Sequence, residues 1–83
     1  MGLSPKIGAY VFIECGNDPV KIVNEILKVP GVTQANALFG PLDAIAFVTA
    51  DDLAAIERTV KEVQKVPGIR STDTRIARGP ATG

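Results

Sequence analysis

The sequence predicts an α+β sandwich: one four-stranded antiparallel sheet with two helices on one face. Three observations lead there. First, Lys28-Val29-Pro30-Gly31-Val32 recurs as Lys65-Val66-Pro67-Gly68-Ile69, a shift of 37 residues. Second, each copy lies between a stretch with apolar residues three and four apart and a stretch rich in β-branched residues, so each half reads β-α-β. Third, two of the four strand segments are apolar on both faces, as central strands are. Two β-α-β units joined by a short turn give the ferredoxin-like order βαββαβ, with right-handed crossovers and the first and third strands central.

The elements follow in chain order. Residues 1–6 read as a lead-in. Ile7 to Ile13 is a strand by its β-branched and aromatic content, with Ile7, Ala9, Val11 and Ile13 on one face and Tyr10, Phe12 and Glu14 on the other. Asn17-Asp18-Pro19 starts a helix: Asp18 caps backbone N–H groups and Pro19 suits the first helical position. Val20, Val23, Ile26 and Leu27 form its apolar stripe, widened by Ile22 and Val29, and Pro30-Gly31 ends it. Val32 to Phe39 is the second strand and Ala44 to Thr49 the third, joined through Gly40-Pro41. Their closeness makes the pairing antiparallel.

Asp51 or Asp52 caps a second helix, whose face is Leu53, Ile56, Val60 and Val63. Glu57 and Lys61 have the favourable order for an ion pair four residues apart, and Arg58 with Glu62 the reverse. Pro67-Gly68 ends the helix. Ile69 to Ile76 is the fourth and most polar strand, and residues 77–83 form a tail. The two helices cover one sheet face. Tyr10, Phe12 and Phe47 or their neighbours therefore lie on the other, and such an apolar face points to sheet-against-sheet or edge-to-edge self-association, most simply a two-fold dimer.

Size and composition exclude several functions. Eighty-three residues make one domain, and a chain this short often gains stability by oligomerising. It is 46% hydrophobic with formal net charge +0, against disorder and against an electrostatically driven nucleic-acid binder. There is no histidine, and the single cysteine rules out an internal disulfide. No run reaches transmembrane length and the N-terminus lacks a signal peptide's blocks, so the expected location is the cytoplasm.

No catalytic set, metal site or cofactor loop emerges. Cys15 has no histidine partner and reads as a small core residue. Asp51-Asp52 is explained by helix capping. The Pro-Gly pairs follow helices, whereas phosphate loops precede them. Two places could form a polar pocket: Gly40 with Asp43, and Ser71-Thr72-Asp73-Thr74. A carboxylate with hydroxyls suits a zwitterion, the acid taking an ammonium and the hydroxyls or backbone N–H groups a carboxylate. The plainer alternative is that Asp43 ends a turn and the Ser/Thr run is a solvated edge. In the ferredoxin-like order the two places are not neighbours within one subunit, but they could meet across a subunit boundary.

Pro30-Gly31-Val32 after the first helix, Phe39-Gly40-Pro41-Leu42-Asp43 before the third strand, and Val66-Pro67-Gly68-Ile69-Arg70-Ser71-Thr72-Asp73-Thr74 together resemble the effector-binding (RAM) domain of Lrp/AsnC transcriptional regulators, over roughly residues 8–76. The resemblance implies a stand-alone form of that domain, residues 1–83 with a core of about 7–76, without the DNA-binding helix-turn-helix. It implies dimers formed through the sheets, rings of dimers such as octamers, and an amino acid or related effector at the boundary between dimers. Its site residues map to Gly40, Leu42 and Asp43, to Asp51, and to Ser71, Thr72 and Thr74. Leu42 stands where the family often has an aromatic. The implied function is an oligomeric amino-acid sensor in transcriptional or metabolic regulation that acts through a partner such as a full-length regulator, with no direct nucleic-acid or membrane contact. The alternatives are a structural or adaptor subunit without a ligand and, more distantly, an acylphosphatase-like enzyme, which would need an arginine-bearing phosphate loop after the first strand.

Overall fold

The computed structural model describes residues 6–16 and 18–78. The expected lead-in before Lys6, Asn17 of the first helix start and the tail beyond residue 78 lie outside the described residues. The elements are β1 (Ile7–Cys15), α1 (Pro19–Ile26), β2 (Val32–Ala37), β3 (Ala44–Ala50), α2 (Leu53–Gln64) and β4 (Ile69–Ile76). They form one antiparallel sheet in the order β2-β3-β1-β4, so the first and third strands are central as expected. Both helices pack on one face. The ferredoxin-like arrangement therefore holds.

The core lies between that face and the helices. Ala9, Val11, Ile13 and Cys15 of β1, and Ala44, Ala46 and Val48 of β3, meet Ile22, Val23 and Ile26 of α1 and Ile56, Val60 and Val63 of α2. No polar or charged residue is buried among the described residues. Small residues on β1 and β3 let the helices sit close, and β-branched residues fill the gaps. Within α1 the buried stripe is rotated from the expected one. Ile22, Val23 and Ile26 are buried, whereas Val20 and Leu27 are exposed. In this eight-residue helix the buried residues run from Ile22 to Ile26, little more than one turn.

The 37-residue repeat is structural as well as sequential. Lys28, Val29 and Val32 donate backbone N–H groups to the carbonyls of Glu25, Ile26 and Val29, and Lys65, Val66 and Ile69 donate in the same way to Glu62, Val63 and Val66. Gly31 and Gly68 both have φ of 99°. Lys28 pairs with Glu25 at 3.0 Å and Lys65 with Glu62 at 2.9 Å. These pairs form three residues apart; the pair expected between Glu57 and Lys61 does not form. Each helix thus leaves through one tight exit that only a residue tolerating positive φ can make.

The helix starts follow their caps. Asp18 accepts from the Val20 N–H at 3.1 Å with Pro19 at the first helical position, and Asp52, not Asp51, accepts from the Ala55 N–H at 2.8 Å. The second strand ends two residues before the expected Phe39, at Ala37. Residues 38–43 are a loop, closed by the Leu38 N–H donating to the Asp43 carbonyl at 2.8 Å.

Gly31 and Gly40 (φ of 116°) give a graded test of this backbone. A Cβ on Gly31 would lie 2.7 Å from Thr59 Oγ1, whereas one on Gly40 meets nothing within 4 Å. Gly40→Ala is expected to cost about 1 kcal/mol from positive φ alone, and Gly31→Ala about 2–4 kcal/mol because the clash adds to it. Urea unfolding of the two variants measures both, and equal costs would refute the packing account of the α1 exit.

Candidate functional site

The expected site residues fall in four places on one chain. Gly40, Leu42 and Asp43 sit in the β2–β3 loop at the end of the sheet where β1 finishes. Asp51 sits at the opposite end, exposed, 3.3 Å from Lys6 Nζ. Strand alternation separates Ser71 from Thr72 and Thr74. Ser71 is opposite Glu14 on the face away from the helices, and its hydroxyl donates to Glu14 Oε1 at 2.8 Å. Thr72 and Thr74 are opposite the buried Ile13 and Val11, so they turn toward α2. Thr72 Oγ1 accepts from Gln64 Nε2 at 2.7 Å. Within one subunit, then, the hairpin turn lies on the β3 side of β1, and Ser71, Thr72 and Thr74 lie on its β4 side.

Asp43 has a structural task. Its Oδ2 accepts the Cys15 N–H at 2.9 Å, and its own N–H donates to the Ile13 carbonyl at 3.0 Å. The side chain extends the β1–β3 ladder one step past its last backbone pair, at the level where β1 leaves the sheet. Oδ1 takes no hydrogen bond among the described residues. In the same loop, the Phe39 side chain is fully exposed, far from ordinary for an aromatic.

Two features were not read from the sequence. One is a β-bulge: Cys15 pairs with Ile69 but Glu14 with Ser71, so Arg70 is the extra residue. The bulge throws the Arg70 guanidinium over Gly16, whose missing Cβ leaves room for it; an added Cβ would stand 3.1 Å from Nε. Arg70 and Asp43 therefore flank the Cys15-Gly16 end of β1 from the two neighbouring strands. A one-residue register shift has no signature in an alternating polar strand such as β4. The other is a groove of about 620 Å³ between α2 and β4, lined by Leu53, Ile56, Val60 and Ile76 with Thr74, Glu57, Lys61 and Gln64 along its length. Leu53, one of the lining residues, is half exposed.

The face away from the helices is organised by strand register. Its centre is Tyr10, Phe12, Ile45 and Phe47, and the Tyr10 and Phe47 rings lie 4.8 Å apart, tilted by 51°. On the β4 side this centre is bordered by Ser71, Asp73 and Arg75, and on the β2 side by Gln34 and Asn36. Arg75 Nη2 lies 3.0 Å from Asp73 Oδ2, and the hydrogen bond and charge of Asp73 raise the guanidinium above its ordinary pKa. No helix among the described residues is long and apolar enough to cross a membrane.

The contrast between Asp43 and Asp51 is measurable. Asp43→Ala leaves the Cys15 N–H without its charged acceptor and is expected to cost about 1.5–3 kcal/mol. Asp51→Ala removes an exposed ion pair and is expected to cost less than about 0.5 kcal/mol. Chemical unfolding of the two variants checks the order, and a neutral Asp43→Ala would remove its structural role.

The family model for the Lrp/AsnC ligand binding domain matches residues 8–78. An uncharacterised helix-turn-helix-type transcriptional regulator of Pyrococcus abyssi is 38% identical over 69 residues, which cover 78% of this chain and 44% of that protein. The chain thus spans less than half the length of that relative. The crystal structure of a hypothetical protein from Pyrococcus horikoshii superposes with a TM-score of 0.77 at 26% identity, covering 86% of this chain and 88% of that one. A Thermus thermophilus protein has the same fold, with a TM-score of 0.81 at 24% identity over 93% of this chain and 99% of its own. The match runs from the start of β1 past the end of β4, through both helix exits and the Gly40–Asp43 loop, and the chain belongs to the family of Lrp/AsnC ligand-binding (RAM) domains, a regulatory and not a catalytic family.

Proposed function

We propose that this chain is an oligomeric amino-acid sensor that acts in transcriptional or metabolic regulation through a partner, such as a full-length regulator carrying a helix-turn-helix. The observation that carries this reading is the family match across residues 8–78. The effector sits at a subunit boundary beside the Gly40–Asp43 loop. Asp43 there keeps Oδ2 on the Cys15 N–H and offers Oδ1 to the effector's ammonium. Arg70, leaning over Gly16 on the other side of the β1 end, offers a guanidinium to the carboxylate. Gly40 and Leu42 shape the loop, and the exposed Phe39 covers apolar surface of effector or neighbour. Thr72, Thr74, Ser71 and Asp51 lie on other surfaces of the same chain. They join the site only as contributions from adjacent subunits, at the boundaries of a dimer or of a ring of dimers such as an octamer.

A structural or adaptor role without a ligand is favoured by a different observation. Asp43, Asp51, Ser71 and Thr72 each already have a partner within the chain. Such a chain would assemble through the same open face and contribute only shape and interface.

Calorimetric titration with the twenty amino acids separates the two. The sensor reading expects heat from at least one of them. It also expects that heat to fall at least about tenfold in affinity for Arg70→Gln, a variant at an exposed position that leaves the Asp43–Cys15 bond in place. No heat from any amino acid would favour the adaptor. Sedimentation over a concentration series tests assembly independently: the chain is expected to be dimeric or larger at micromolar concentration, and Phe12→Asp, at the centre of the open face, to be monomeric. A wild-type chain that stays monomeric would overturn the oligomeric part of the reading.

A further inference from the structure

Strand register decides how two copies can meet through the open face, and the inference drawn from it rests on that sheet-face dimer. The strand pairings place side chains on this face in a grid. One row is Asp73, Phe12, Ile45 and Asn36; the next is Arg75, Tyr10, Phe47 and Gln34. The apolar pairs sit in the two middle columns, the amides on β2 and the opposite charges on β4. This is an interface core with a polar rim, and the two rims differ in kind.

A second copy covers this face in one of two two-fold arrangements, both compatible with aligned sheet packing. If the axis runs along the strands, β4 of one chain lies over β2 of the other, and the charges face Asn36 and Gln34. If the axis runs across the strands between the two rows, each β4 lies over the partner's β4 and the rows exchange. Asp73 then opposes Arg75 of the second copy, and Arg75 opposes its Asp73, while Phe12 meets Tyr10 and Ile45 meets Phe47. Within one chain Asp73 already binds Arg75, with Nη2 3.0 Å from Oδ2 and Nε 3.3 Å from the same oxygen. The crossed arrangement adds a second opposite charge to each member as water is displaced. The parallel one presents the same charges with neutral amides, which compensate their desolvation less well.

We propose that two copies pair about an axis across the strands, and that the alternation of Asp73 and Arg75 on β4 is the code by which this chain selects its own kind. A paralogous domain with the same apolar centre but another charge order on its last strand would be rejected by like charges at both ends of the interface.

The test exchanges the two residues. Asp73→Arg/Arg75→Asp keeps the net charge and the internal ion pair, so it changes nothing but the order. It is expected to form homodimers as wild type does. Wild type and the exchanged chain, mixed after dissociation and read by native mass spectrometry, are expected to form heterodimers at about fivefold or more below the statistical half. A 1:2:1 mixture would leave the dimer standing and overturn the charge order. Monomers from both chains would overturn the dimer, and the proposal with it. Should the exchanged chain not fold, by far-ultraviolet circular dichroism, the single variants Asp73→Asn and Arg75→Gln serve. Each is expected to weaken the homodimer and flatten its salt dependence, and an unchanged salt dependence in both would overturn the proposal.

Discussion

Two helices can cover only one face of a four-stranded sheet. Everything else about this chain follows from that inequality. The helix-side face of β1 and β3 is built from Ala9, Val11, Ile13, Ala44, Ala46 and Val48, all essentially inaccessible. The alternation that buries them must present Tyr10, Phe12, Ile45 and Phe47 on the other side, because a strand cannot turn two successive side chains the same way. A polar set at those four positions would have made a soluble half-covered sheet. The chain carries aromatic and branched residues there instead, and the proposed sheet-face dimer rests on them.

The same constraint separates what the residues revealed from what they hid. The repeat at Lys28 and Lys65 was legible because tight helix exits need Gly, tolerate Pro just before it and repeat in kind; the structure reproduces the hydrogen bonds and the φ of 99° at both. The central strands were legible because burial on both sides leaves a two-sided apolar pattern. The end of β2 was not, since Leu38 and Phe39 have strand-like composition yet lie in the loop. Both are exposed there and neither pairs in the sheet. Nor was the α1 stripe, since in so short a helix the spacing of apolar residues does not decide that Ile22, Val23 and Ile26 are buried and Val20 and Leu27 exposed. The failed Glu57–Lys61 pair belongs with these: a few tenths of a kcal/mol do not hold two exposed side chains together.

The candidate site was legible in its residue types and not in its assembly. Gly40 and Asp43 announce a turn with a carboxylate, but that one Asp43 oxygen caps the β1 end through Cys15 is a fact of register, invisible until β1 and β3 are paired. Arg70 was hidden for a similar reason. Its position depends on a bulge opposite Glu14 and Cys15, which shifts the fourth strand by one residue and moves that side chain to the end of the sheet. Ser71 and Thr72 look equivalent as neighbours in sequence. Alternation sends one to the open face and the other toward α2, so no single pocket in one chain can use both.

These placements bear on how such a domain could respond to a ligand. The loop that carries Gly40 and Asp43 is tied to β1 through Cys15 and Ile13, and β1 also supplies Tyr10 and Phe12 to the open face. Any ligand that draws on Asp43 therefore acts on the strand at the middle of the proposed interface. A small chain has little stability to spare. Binding that favours one spacing of the two sheets would shift assembly and folding together, by the logarithm of ligand concentration over its dissociation constant. A sensor built this way needs no hinge: the strand that anchors the acid also contributes the surface on which copies meet.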